Sequence, residues 1–161
     1  MGNGQSIADN DSTPAASDGT DFGTVVAGGV PVTRTFTVRN DGQATLVLGA
    51  PEIPTGFTLV DPLAASLDAG ASDTFAVRLD ATTAGFNQGD IIIATNDGDE
   101  DPFNFRIAST VLAPPEIVVV GRGLEIADGD TTPRVQDGTD FGTLLLGDPP
   151  PAYTYVVQNT G

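Results

Sequence analysis

The stretch "FGTVVAGGVPVTRTFTVRNDG", Phe22–Gly42, decides the fold class. "FGTVVA" is a short strand rich in β-branched residues, and "GGVP" is a turn. "VTRTFTVR", Val32–Arg39, then alternates with a period of two. Val32, Arg34, Phe36 and Val38 share one face, and Thr33, Thr35, Thr37 and Arg39 share the other. Phe36 and Val38 are the expected core positions. "NDG" at Asn40–Gly42 is a strong turn signal.

Further strands follow at similar spacing. They are expected at Ala44–Gly49, Phe57–Val60, Asp73–Asp80, Gly89–Asn96 and Phe103–Val111. "PEIPTG", "SLDAGAS", "ATTAGFNQ" and "DGDEDP" lie between them and read as loops. No window carries an apolar stripe at helical spacing. The pattern predicts an all-β fold, an immunoglobulin-like antiparallel β-sandwich of about seven strands, plus the first strands of a second repeat.

The repeat is explicit. "IADNDSTPAASDGTDFGT" (Ile7–Thr24) returns as "IADGDTTPRVQDGTDFGT" (Ile126–Thr143), with 13 of 18 positions identical at an offset of 119. The match continues from Gly23–Gly42 into Gly142–Gly161. The expected organisation is a β-sandwich repeat over 1–111, a Pro-rich linker "LAPP" at 112–115, and the first third of a second repeat at 116–161. Val120 aligns with Met1, so the strand "EIVVV" (Glu116, Ile117, Val118, Val119, Val120) has no counterpart ahead of the first repeat. That strand is expected either to belong to a longer tandem array or to be donated to a neighbouring copy.

Composition narrows the function. The chain has 161 residues, 22 acids against 6 bases, and a net charge of -16. Eighteen of the acids are Asp, a residue that favours turns and caps over helices. Such a charge repels phosphate backbones and anionic membranes, so no nucleic-acid partner is expected. There is no run of apolar residues long enough for membrane insertion. "MGNGQSIADND" lacks the basic and apolar regions of a signal peptide. Cys, His and Lys are all absent. Zinc sites built on Cys or His, His-dependent triads and Schiff-base chemistry are thereby excluded.

"IADGDTTP…DGTDFGT", "TFTVRNDGQATL" (Thr35–Leu46) and "FNQGDIIIATNDGDEDPFNF" (Phe86–Phe105) resemble the choice-of-anchor D domain. That domain is similar to the ASH/Hydin-like immunoglobulin-like sandwiches. The resemblance implies a non-enzymatic module of a bacterial extracellular or cell-surface protein.

The acids admit two readings. Asp9, Asp11, Asp18 and Asp21, with Asp128 and Asp130 in the second copy, alternate like the start of a hard-cation loop. Asp97, Asp99 and Asp101 crowd a second loop, where like charges repel unless a cation bridges them. On that reading the cofactor is Ca²⁺. On the other, the Asp side chains fold their own turns and there is no cofactor. A glycosidase needs two carboxyl groups about 5–9.5 Å apart across a sugar cleft. Acids confined to turns do not suggest one, and no catalytic residue is expected. Arg34, Arg39 and Arg78 are expected as cross-strand partners of Asp. The expected partners are neighbouring copies of the same module, in cis or as a homopolymer. A ligand- or glycan-binding adhesin is the alternative.

Overall fold

The computed structural model describes residues 1–161. They form two units, Met1–Ala113 and Pro114–Gly161. No helix is present, so none is long and apolar enough to cross a membrane.

The first unit holds eight strands: β1 (Asp21–Val26), β2 (Thr33–Arg39), β3 (Leu46–Val47), β4 (Phe57–Asp61), β5 (Ser66–Leu67), β6 (Ser72–Leu79), β7 (Gly85–Ile93) and β8 (Phe103–Leu112). One sheet runs β2-β6-β4 and another β1-β8-β7, with a small β3-β5 pair beside them. Alternation along β6 turns Phe75, Val77 and Leu79 inward. From the opposite sheet come Ile91, Ile93, Phe105, Ile107 and Val111. Phe36 joins the layers, its ring 5.5 Å from Phe75 and 5.2 Å from Phe105. Each such fully buried side chain contributes about 1.5–3 kcal/mol. This is an immunoglobulin-like β-sandwich.

The turn after β2 is fixed by one side chain. Asn40 donates to the carbonyls of Ala44 and Leu67, and its Oδ1 accepts from Gly42 N.

Several details differ from the sequence reading. The expected strand at Ala44–Gly49 shrinks to the two residues of β3. "SLDAGAS", expected to be a loop, begins with β5. β7 starts at Gly85 rather than Gly89, because β8 is long enough to pair with it from Phe103 to Val111. The pairing is not wholly antiparallel: β1 lies parallel to β8. Parallel neighbours need a long crossover, which the six intervening strands supply. Only one ion pair joins facing strand residues, Arg106 to Asp90 at 2.8 Å. Arg39 and Arg78 instead meet Asp41 and Asp80, two residues along the chain. Arg34 has no carboxylate partner, and its Nε is buried without a hydrogen bond. It points inward with Phe36, where no Asp lies.

The second unit is an antiparallel sheet of β9 (Ile117–Gly121), β10 (Leu124–Ile126) and β11 (Tyr155–Asn159), in the order β10-β9-β11. "FGTLLL" (Phe141–Leu146), which repeats the sequence of β1, is not a strand. β1 owes its ladder to β8, and no strand of the second unit stands in that relation to Phe141–Leu146.

Candidate functional site

Two features compete for a functional role: the repeated acidic turn and a groove beside β2.

The acidic turn is built identically in both copies. Asp18 Oδ1 accepts from Thr20 N at 3.0 Å and from Thr20 Oγ1 at 2.6 Å. Asp137 Oδ1 does the same for Thr139, at 2.9 and 2.6 Å. Asp11 and Asp130 take equivalent pairs from Thr13 and Thr132. Asp21 and Asp140 accept from Gly23 N and Gly142 N. Gly19 and Gly138, both at φ +79°, supply the left-handed step between Asp and Thr. These are side-chain-to-backbone turns of the kind Asp favours. The Thr hydroxyl first, then the Thr amide, hold the carboxyls of Asp11, Asp130 and Asp137 below the ordinary value.

The other acids do not gather around them. Asp9 Oδ1 accepts from Asn104 N on β8, and its Oδ2 from Asn10. Asp101 Oδ1 accepts from Thr95 N. The structure brings no three acidic side chains into a group able to hold a metal ion. Asp9, Asp11, Asp18, Asp21, Asp97, Asp99, Asp101, Asp128 and Asp130 therefore do not form a shared cation cage. Most of their bonded oxygens serve backbone amides.

In the first copy the motif also runs along β8. Asn10 N donates to Asn104 O, Arg106 N to Asp11 O, and Ala108 N to Thr20 O. The acidic segment thus leads β1 into its parallel register.

The groove was not expected from the sequence. It encloses about 330 Å³ and is lined by Phe36, Val38, Leu46, Leu48, Ile93 and Phe103, with Arg39, Asp97 and Glu100 at its rim. One wall is the free edge of β2. Met1 and Gly2 cover that edge only at its centre: Met1 N donates to Thr37 O at 2.7 Å, Thr37 N returns a bond to Met1 O, and Gly2 bridges Phe36. Strand alternation turns the N–H and C=O of Arg39 to the same edge, where no strand runs. Burial, then the charges of Asp97, Asp9 and Asp99, raise the Glu100 carboxyl above its ordinary value.

The second unit shows a strand in the equivalent place. With the offset of 119, Met1 and Gly2 correspond to Val120 and Gly121, and Phe36–Asn40 to Tyr155–Asn159. There β9 pairs with the whole of β11: Gly121 with Tyr155, Val120 with Val156, Val119 with Val157, Val118 with Gln158, and Ile117 with Asn159. Glu116, Ile117, Val118, Val119 and Val120, expected as a donated strand, thus lie in or beside a strand with partners on both sides. The glycines match too. A Cβ on Gly2 would stand 1.9 Å from Asp18 O, and one on Gly121 1.9 Å from Asp137 O. The signal for the groove was the alignment of Met1 with Val120.

Residues 14–111 match the model of a family described as "Protein of unknown function (DUF1573)". No curated protein matches the chain. Among solved structures, a protein of unknown function from Porphyromonas gingivalis W83 is 19% identical, with a TM-score of 0.47. The match covers 56% of this chain and 42% of that protein, so this chain spans under half its length. The ASH/PapD-like domain 7 of human CEP192 is 11% identical over 58% of this chain and 80% of that domain, with a TM-score of 0.47. SSP-19, an MSP-domain-like protein of Caenorhabditis elegans, is 16% identical over 56% of this chain and 92% of its own, with a TM-score of 0.36.

Proposed function

Because the chain belongs to the DUF1573 family, whose function is unknown, we propose its role from the geometry: a non-enzymatic structural repeat module of a bacterial extracellular or cell-surface protein. Each sandwich acts as a spacer, and modules join through the strand Glu116–Val120, which serves the neighbouring module. One observation carries this reading. The 119-residue period repeats the acidic turn bond for bond, together with the glycine packed against the turn's Asp carbonyl. Geometry preserved at that level fits tandem or polymeric use of a single unit. The extracellular placement rests on the resemblance to choice-of-anchor D domains.

The test is to join copies of the period Gly2–Val120 in series, so that each copy hands a "EIVVV" strand to the next. The maximum dimension from X-ray scattering should grow by a constant increment per copy, and the copies should unfold as like units. A dimension that does not scale with copy number would overturn the module reading.

A further inference from the structure

We propose that the outer face of the β1-β8-β7 sheet binds a neutral sugar, one pyranose ring of an uncharged glycan stacked on Phe86. The site lies wholly within Pro14–Thr110 of the first unit, so it depends on neither end of the chain.

Register builds the site. Alternation turns Phe105, Ile107 and Val111 of β8 into the core and leaves Arg106, Ala108 and Thr110 on the outer face. Thr24 of β1 stands opposite Thr110 on one side, and Phe86 of β7 stands opposite it on the other. Asp21, Ala108 and Gln88 make the next row. Together the two rows cover about 10 Å across the strands and about 7 Å along them. Ala108 has the smallest side chain of the six, so the face dips there. The hollow encloses about 320 Å³, and Pro14 and Gly23 complete its wall. Small-ligand sites span about 300–1,000 Å³.

A lone exposed aromatic needs no explanation. Phe86 is singled out by its company. It is 64% exposed, whereas Phe22, Phe36, Phe57, Phe75 and Phe105 are all buried. It shares the hollow with Thr24, Thr110 and Gln88, whose side chains make no hydrogen bond within the chain. Asp21 spends only Oδ1, on Gly23 N.

That set matches the chemistry of a pyranose. One side of the ring is a patch of C–H groups, which suits the face of Phe86. Its hydroxyls both donate and accept, as do the Thr hydroxyls and the Gln88 amide, while Asp21 accepts. Charge selects against acidic sugars. The chain carries a net charge of -16, and Arg106 is already held by Asp90 through two hydrogen bonds, so no free cation waits on this face. The strand that carries Phe86 is fixed from the other side. Gly56 and Gly89 leave no room for a Cβ against Asn87 and Pro54. A ligand therefore meets a formed surface and orders little on binding.

Amide NMR titration of the full chain tests the site, with cellotetraose and mannotetraose as neutral probes and tetragalacturonate as the charged one. A neutral probe should shift the amides of Thr24, Phe86, Gln88 and Thr110, with a Kd of about 0.1–10 mM for so open a hollow. Tetragalacturonate should bind at least about tenfold more weakly. Phe86→Ala should weaken binding at least about tenfold, and Phe86→Tyr should preserve it. Thr110→Val should weaken it about three- to tenfold. Unchanged amide positions in β2 and β6 would show that each variant keeps the fold.

No shift from either neutral sugar at about 50 mM, several times the weakest expected Kd, overturns the site. So does binding that Phe86→Ala leaves intact. Shifts at Phe86 that follow protein concentration instead of sugar would give the face to a second copy and overturn it as well. None of these outcomes bears on the scattering of joined copies, so the sugar site and the module reading fail separately.

Discussion

Asp18 and Asp137 accept the same pair of hydrogen bonds from Thr20 and Thr139, yet the phenylalanines four residues later differ sharply. Phe22 is 2% exposed and stacks edge-on against Phe57 at 5.0 Å, while Phe141 is 48% exposed. The turn is a local object: its donors and acceptors lie within Ala15–Gly23, and in the second copy within Arg134–Gly142. The anchor is a non-local one, because it requires β4 and the sheets around it. Identical sequence therefore gives identical turns and unequal cores.

The largest effect should appear where the copies differ most. Phe22→Ala should destabilise the first unit by about 3–5 kcal/mol, the usual cost of emptying an aromatic core site. Phe141→Ala should cost under about 1 kcal/mol, since little transfer from water is reversed. Urea titrations followed by circular dichroism would measure both. Equal costs would break the comparison and mean that the second copy buries its phenylalanine in solution.

The turn itself should behave alike in both copies. Asp18→Ala leaves the amide of buried Thr20 without its acceptor and its hydroxyl with only the longer bond to Ala15 O, and should cost about 1–3 kcal/mol. Asp137→Ala should likewise speed amide exchange at Thr139. If Asp18→Ala speeds exchange at Thr20 but Asp137→Ala leaves Thr139 unchanged, the turn depends on its docking to β8 and is not local.

The same division explains what the sequence discloses. β2, β4, β6 and β8 were legible because alternation marks a strand with one buried face. The Asp-Gly-Thr turns were legible because their chemistry stays within a few residues along the chain. β5 and the first half of β7 were not: "SL" and "GFNQ" carry no alternation, and Phe86 is largely exposed. Their partners impose the strand conformation on them. The parallel register of β1 on β8 lies beyond any local pattern. Of the nine acids proposed as calcium ligands, all but Asp21, which opens β1, lie outside the named strands, as the sequence marked them. Their failure to converge is a tertiary fact, set by where the loops travel.

Charge at the groove rim should produce a smaller effect with a distinct pH signature. The Glu100 pKa is raised in the folded state, so its stabilising balance is fully present below its ordinary 4.5 and is lost as pH rises through the folded value. Glu100→Gln should therefore raise stability slightly at pH 7, by about a few tenths of a kcal/mol at most for so exposed a group, and leave it unchanged below about pH 4. Asp11, Asp130 and Asp137 run the other way. Their folded values lie below 3.8, so their contribution is present above that pH and is lost as acid titrates them. A thermal series from pH 2 to 7 separates the two: the turns weaken only below about pH 3.8, whereas the Glu100 effect appears above about 4.5.

Calcium should have the smallest effect. A ligand that favours the native state stabilises it by RT ln(1 + [L]/Kd). An extracellular-type site with a Kd near 1 mM would add about 1.4 kcal/mol in 10 mM Ca²⁺, a shift of several degrees for a domain of this size. The carboxylates here are spread along separate segments, and oxygens of Asp9, Asp11, Asp18 and Asp101 already accept amides and hydroxyls. Binding would require them to give up those bonds before converging. Tm in 10 mM CaCl₂ should therefore match Tm in EDTA at equal ionic strength, for the native chain and for Asp18→Ala alike. A chelator-reversible rise confined to the native chain would show that the Asp18 turn does bind calcium, and the two copies would then differ in ligation as well as in packing.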